Sequence, residues 1–184
     1  MKTAPHPAGG GLAKRLVLAL ATIALLGGSA AAQGLPTEQS VRAAMTFNFL
    51  RFTEFPPESG AAASHRLHLC FSVGDPAQAE ALAALAGHKV GNRELAVARI
   101  GEQDSCQVIY VDSRQRWTAA GETRPPHPAA LTIGSYRGFV EDGGMIEIDL
   151  QDEGNRFDIN LAQARLAHFR MSPQLLRLAR RIHE

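Results

Sequence analysis

The sequence predicts an α/β fold: a mixed, mainly parallel sheet of about five to six strands flanked by about five helices, in three layers. Two observations carry this. Short apolar runs of strand length alternate along the chain with segments that open on helix caps, and the last two strand-like runs pair as a hairpin. The length adds a third constraint, because 184 residues with 45% apolar side chains suffice for one domain with a sizeable core.

The first segment is not part of that domain. Lys14 and Arg15 precede a run from Leu16 to Leu26 that is apolar but for Thr22, and Gly27, Gly28 and Ser29 lead into Ala30, Ala31 and Ala32 before Gln33. A basic n-region, a short apolar h-region and an A-x-A site constitute a secretory signal peptide over residues 1–32. The run is shorter than the roughly 20 residues of a membrane span, and no second one follows. The expected mature chain, 33–184, is a single domain exported from the cytoplasm with no membrane span. An intact mass beginning at Gln33 would establish the cleavage.

Each element has a local reason. Thr37 is a helix cap, and Val41, Met45, Phe49 and Phe52 recur behind it at helical spacing, with Pro56 and Pro57 ending the segment. Arg66–Val73 alternates, with Leu67, Leu69 and Phe71 on one face and His68, Cys70 and Ser72 on the other. Asp75-Pro76 caps a helix reaching about Ala86. Strands are expected at Glu94–Ile100, Val108–Val111 and Ala129–Ile133, with a short helix around Arg114–Ala120. Gly121–Pro128 reads as a rigid connector. Met145–Leu150 alternates Ile146, Ile148 and Leu150 against Glu147 and Asp149, and Arg156–Asn160 pairs back across a turn at Asp152–Asn155. Two helices close the chain, the first over Leu161–Phe169 and the second opening at Ser172-Pro173.

Composition excludes several function classes. Cleavage removes Lys2, Lys14 and Arg15, leaving 16 basic and 18 acidic residues and a net charge of −2. No basic patch stands out, which argues against nucleic acid as a partner. There is no G-x-S-x-G, P-loop or H-E-x-x-H, so no enzyme, cofactor or metal is expected. His65, His68 and Cys70 are close in sequence, but on a strand the two histidines point to opposite faces. The pairs Asp149/Asp152 and Glu141/Asp142 read as solvated faces beside a hairpin.

Four groups of residues remain as candidates. Cys70 and Cys106, the only cysteines, lie 36 positions apart. In an oxidising compartment an even pair reads as a disulfide, with two buried free thiols as the alternative. Phe47 and Phe55 fit the helix stripe less well than Phe49 and Phe52, and are candidates for partner binding. His168 stands between Arg165 and Arg170 near a helix end, where it either complements the helix dipole or contacts an anion or small ligand. Asn160 lies where the last strand turns into a helix, and is expected to be largely buried and to bond backbone groups there.

Four blocks in order resemble the YfiR family of periplasmic proteins. They are Val41–Pro56, with Phe47-Asn48-Phe49 running into Phe55-Pro56; Leu67–Cys70 with Cys106–Val111; Leu131–Gly134 with Phe139 and Gly143–Ile146; and Phe157–Leu161 with Ala164-Arg165, Ser172 and Leu175–Ala179. The resemblance implies a sheet flanked by helices and a soluble periplasmic repressor. Such a repressor binds the periplasmic domain of an inner-membrane diguanylate cyclase and holds it inactive, lowering cyclic-di-GMP and biofilm formation. It also implies that homodimers are common. Some members carry a second cysteine pair; here Met145 and Asp152 stand in that neighbourhood. The alternative is a periplasmic small-ligand sensor module serving another receptor.

Overall fold

A computed structural model describes residues 1, 3, 35–57, 65–102, 105–123, 130–151 and 156–184. The chain divides into Met1–Leu35, almost wholly outside those residues, and Pro36–Glu184, which carries every described element. The expected signal peptide, the turn at Asp152–Asn155 and most of the connector before Pro128 therefore lie outside the described residues. Among the described residues no helix is long and apolar enough to cross a membrane.

Helix α1 (Glu38–Arg51) begins where Thr37 Oγ1 accepts the Ser40 amide at 3.2 Å. After β1 (Thr53–Glu54) and β2 (Arg66–Ser72), Asp75 caps α2 (Pro76–Ala83) by accepting the Ala77 amide, with Pro76 in the first turn. There follow β3 (Lys89–Val90), β4 (Arg93–Arg99), β5 (Val108–Val111), α3 (Arg114–Thr123), β6 (Leu131–Gly134), β7 (Ile146–Asp149) and β8 (Arg156–Asn160). Asn160 caps α4 (Leu161–Leu166), β9 (Arg170–Met171) follows, and Ser172 caps α5 (Pro173–Leu178) ahead of β10 (Arg181–His183). The caps lie where the sequence places them because each is a local contact between a side chain and an amide two or three residues on.

The main sheet has eight strands in the order β10-β8-β7-β6-β5-β2-β4-β3, and β1 pairs with β9 in a separate two-stranded ribbon. It is mixed and larger than the five to six strands expected: β4, β2, β5, β6 and β7 run parallel, β3 and β8 pair antiparallel with β4 and β7, and β10 joins β8 in parallel. The extra strands are two or three residues long and have no alternation of their own. A second correction concerns the end of the chain, which closes on β10 and not on a helix. Its ladder with β8 supplies pairing that three residues cannot signal alone.

Alternation sorts the sheet's side chains into two layers. Leu67, Leu69, Phe71, Val108, Tyr110, Leu131, Ile133, Ile146, Ile148, Phe157 and Ile159 form the main core with residues of α1, α2, α4 and α5. Ile109, Val111, Ala130 and Phe139 form a smaller cluster on the second face, joined by Trp117 of α3, Tyr136 and Cys106. Phe139 reaches between the glycines at 134 and 144. A Cβ at Gly134 would lie 2.3 Å, and one at Gly144 2.1 Å, from its ring.

The expected core stripe of α1 is rotated. Ala43, Thr46, Phe49 and Leu50 are buried, whereas Val41, Met45 and Phe52 are half-buried and Ala44 and Asn48 exposed. The helix packs on α2 as well as on the sheet, so the face it buries is wider than one apolar line.

Candidate functional site

Two chain segments build a cleft of about 580 Å³. The ribbon β1–β9 sets its floor: Thr53 pairs with Met171, Glu54 pairs with Arg170, and the Ser172 amide donates to the Phe52 carbonyl at 2.9 Å. Phe55, Pro56 and Pro57 line one side, and Arg165, His168, Phe169 and Arg170 the other. Phe55 meets the buried Phe169 edge-to-face at 5.5 Å, and the Arg93 guanidinium lies 4.8 Å over the Phe55 ring. Burial lowers the Arg93 pKa from its usual value.

The turn after α4 brings Arg165, His168 and Arg170 to the cleft. The His168 amide donates to the Arg165 carbonyl and the Phe169 amide to the Ala164 carbonyl, both at 2.9 Å. This is a Schellman motif, in which the residue after the cap adopts the left-handed conformation. That position suits glycine, yet His168 holds it at φ 61° and is exposed at the cleft. Arg165 is 3.8 Å from Glu184 and largely exposed. Arg165, His168 and Arg170 thus line the cleft together with Glu54 and the rings of Phe55 and Phe169. The arrangement can hold an acidic or anionic group against apolar surface, and among the described lining residues none pairs a nucleophile with a base.

Of the sequence candidates, the structure brings together Phe55, Arg165, His168 and Arg170. Phe47 lies elsewhere: it is half-buried against the core, edge-to-face with His88 at 5.5 Å. Asn160 is half-buried at the opposite end of α4 from the cleft, not largely buried. Its Nδ2 donates to the Val140 carbonyl at 3.2 Å and its Oδ1 accepts from Gln163 at 2.9 Å. Cys70 and Cys106 form a disulfide with Cα atoms 5.6 Å apart. Cys70 is fully buried on the sheet's second face, opposite Leu69 and Phe71.

A second cleft, about 470 Å³, is lined by Arg137, Glu141, Asp149, Arg180 and Arg181. Here the reading of Asp149 as part of a solvated face is wrong. Glu147, Asp149 and Asp158 project from β7 and β8 and are all buried, and the chain end returns to Asp149 and Asp158. Arg180 forks onto Asp158, with Nε and Nη2 each at 2.9 Å, and reaches Asp149 with Nη1 at 3.0 Å. Arg181 adds contacts to Asp158 at 3.0 and 2.7 Å. Burial pulls the Asp158 and Asp149 carboxyls up, but hydrogen bonds and nearby arginines hold both below the usual range. Glu147 accepts the Gly138 and Val140 amides; burial pushes its carboxyl up. Asp142 is likewise not a bare solvated acid, since it takes Arg114 Nε at 2.6 Å and the Tyr136 hydroxyl at 2.9 Å. The signal available in sequence was three carboxylates alternating with Ile146, Ile148, Phe157 and Ile159 along two strands.

No curated protein matches this sequence. Among solved structures, a conserved domain protein from Vibrio cholerae O1 biovar El Tor is similar, with a TM-score of 0.43 and 15% identity over 70% of this chain. The chain spans 60% of that one's length. The YfiR/HmsC-like family profile matches residues 39–180, from the first turn of α1 to the arginine that closes over Asp158, and the chain belongs to that family.

Proposed function

We propose that this protein is a periplasmic regulator in cyclic-di-GMP signalling, which binds the periplasmic domain of a membrane diguanylate cyclase and represses it. Membership of the YfiR/HmsC-like family over residues 39–180 carries this reading. The Cys70–Cys106 disulfide fits an oxidising compartment, as does the leader-like sequence of residues 1–32. The mechanism is linkage: a protein that binds one conformation of the cyclase more tightly shifts its population by that difference in affinity.

The cleft beside the ribbon is the proposed contact surface, with Phe55 as the aromatic anchor and Arg165, His168 and Arg170 as the polar rim. Phe47 is proposed as a second contact, in a homodimer or with the cyclase. Deleting the gene should raise cyclic-di-GMP, and restoring the wild-type gene should lower it again. Purified protein should capture the periplasmic domain of a cyclase encoded beside it. Unchanged cyclic-di-GMP together with no capture would overturn the reading. Capture of a transporter or histidine-kinase sensor domain instead would favour the small-ligand module.

A further inference from the structure

We propose that β10 is a self-pairing edge: the β10 strand of a second copy of this chain adds to it antiparallel, so that the main sheet continues across a two-fold axis at Ile182. This does not rest on the repressor reading.

The hydrogen-bond register leaves the edge open. β10 ends the main sheet, and among the described residues it pairs with β8 alone. The Asn160 amide donates to the Met145 carbonyl, so the even-numbered residues of β8 turn their backbone groups toward β7. Phe157 and Ile159 turn theirs toward β10, and the Phe157 carbonyl accepts the Arg180 amide at 2.8 Å. In a parallel ladder a residue bonds the two neighbours of its register partner. Ile159 is in register with Ile182, so its bonds go to Arg181 and His183. The N–H and C=O of Ile182 therefore point away from β8.

Side chains mark the same edge. Within Pro36–Glu184 the large apolar side chains that are exposed among the described residues are Leu166, Leu178 and Ile182, at 74%, 66% and 40%. Leu178 ends α5, and Ala179 and Arg180 lead from it into β10. β10 packs on α4, where Arg165, the neighbour of Leu166, lies 3.8 Å from Glu184. Ile182 is in register with the core residue Ile159, so it stands on the face that carries α4 and α5. Apolar surface beside unpaired backbone suits the addition of a strand. The opposite edge, β3, presents Lys89, a residue that blunts edges.

The occupant follows from symmetry and charge. One residue supplies both the open donor and the open acceptor, and an antiparallel copy of it returns the same pair. Each Ile182 N–H donates to the other's carbonyl, and the two isoleucines lie side by side on the two-fold axis. The edge is also charged asymmetrically: exposed Arg177 precedes β10 and exposed Glu184 follows it. Antiparallel pairing sets Glu184 of each copy beside the start of the other's strand, on the side of α5, toward the Arg177 there. Parallel pairing would set like charges together. Arg181 stays on Asp158, on the other face.

The test is sedimentation velocity of the purified protein over a wide concentration range, with residue-resolved amide exchange by NMR. We expect a reversible dimer, and an Ile182 amide that exchanges freely in dilute protein and slowly where the dimer forms. Ile182→Pro removes an amide that bonds nothing within one copy, a change that edge strands accept. It should raise the dimer Kd about tenfold or more, because the two-fold axis loses both of its hydrogen bonds. Arg177→Glu and Glu184→Arg should each weaken the dimer, and the double variant should restore it. That pair carries the test if Ile182→Pro melts far below wild type. A monomer at every concentration overturns the proposal. So does a dimer whose Ile182 amide stays unprotected, charge reversals that weaken the dimer without mutual rescue, or a dimer that Phe47→Ala dissolves and the reversals leave alone.

Discussion

Asp158→Asn tests the charge network that anchors the chain end. The Asp158 side chain is 0% exposed and accepts four hydrogen bonds from Arg180 and Arg181, at 2.7 to 3.0 Å. The amide keeps the volume but removes the charge and turns an NH₂ toward guanidinium donors. Breaking a buried ion pair on one side typically costs about 3–5 kcal/mol. The lower end applies, because Arg180 keeps Asp149 at 3.0 Å and Arg181 is 59% exposed and can rehydrate. About 3 kcal/mol corresponds to a melting temperature roughly 6–12 °C lower for a domain of this size. The assay is thermal melting by circular dichroism, repeated from neutral pH downward. Against the upward pull of burial, hydrogen bonds from Arg180 and Arg181 hold the Asp158 carboxyl low, and the Gln151 amide with Arg180 holds Asp149 low. Their stabilisation is therefore fully present above the unfolded carboxylate value, about 3.9, and is lost as pH falls through the folded value. Wild type should lose stability faster than the variant below about pH 4, so the gap should narrow. A variant melting within about 1 °C of wild type at neutral pH, or a gap that widens in acid, refutes the argument.

Four further outcomes follow. Cys70→Ser should lower stability by roughly 2–5 kcal/mol, consistent with a bridge spanning 36 positions, by denaturant melts under non-reducing conditions; free-thiol labelling of both cysteines in the native protein would remove the bridge from the account. Gly144→Ala should destabilise by about 1–3 kcal/mol or more, because the new methyl enters the buried Phe139 ring, and equal urea midpoints would contradict that contact. His168→Gly should raise stability by about 0.5–1 kcal/mol by relieving a left-handed backbone, while weakening capture of the cyclase domain; a lowered melting temperature would show that the imidazole has a packing role. Phe47→Ala should cost about 1–2 kcal/mol, as befits a half-buried ring, and should weaken self-association or cyclase capture in light scattering and pull-down; loss of stability with association unchanged makes Phe47 core alone.

Features set by near neighbours were legible in the amino-acid order. The caps Thr37, Asp75 and Ser172, with Pro76 and Pro173 beside two of them, are contacts over two or three residues, so the amino-acid order is enough to place them. The alternation of Leu67, Leu69 and Phe71 against Cys70 is also local, and it put the cysteine on the sheet's second face. The ordered motifs named the family that the profile later matched over residues 39–180. Only the tertiary structure decided the rest, because the partners are distant in sequence. The strands β1, β9 and β10 are two or three residues long and exist through pairing with a remote segment. The face of α1 that is buried depends on α2 and the sheet together. Asp149 and Asp158 look solvated until the chain end brings Arg180 back across more than twenty residues. The cleft itself needs Phe55 and Arg165 to meet, and no local pattern holds information about two segments over a hundred residues apart.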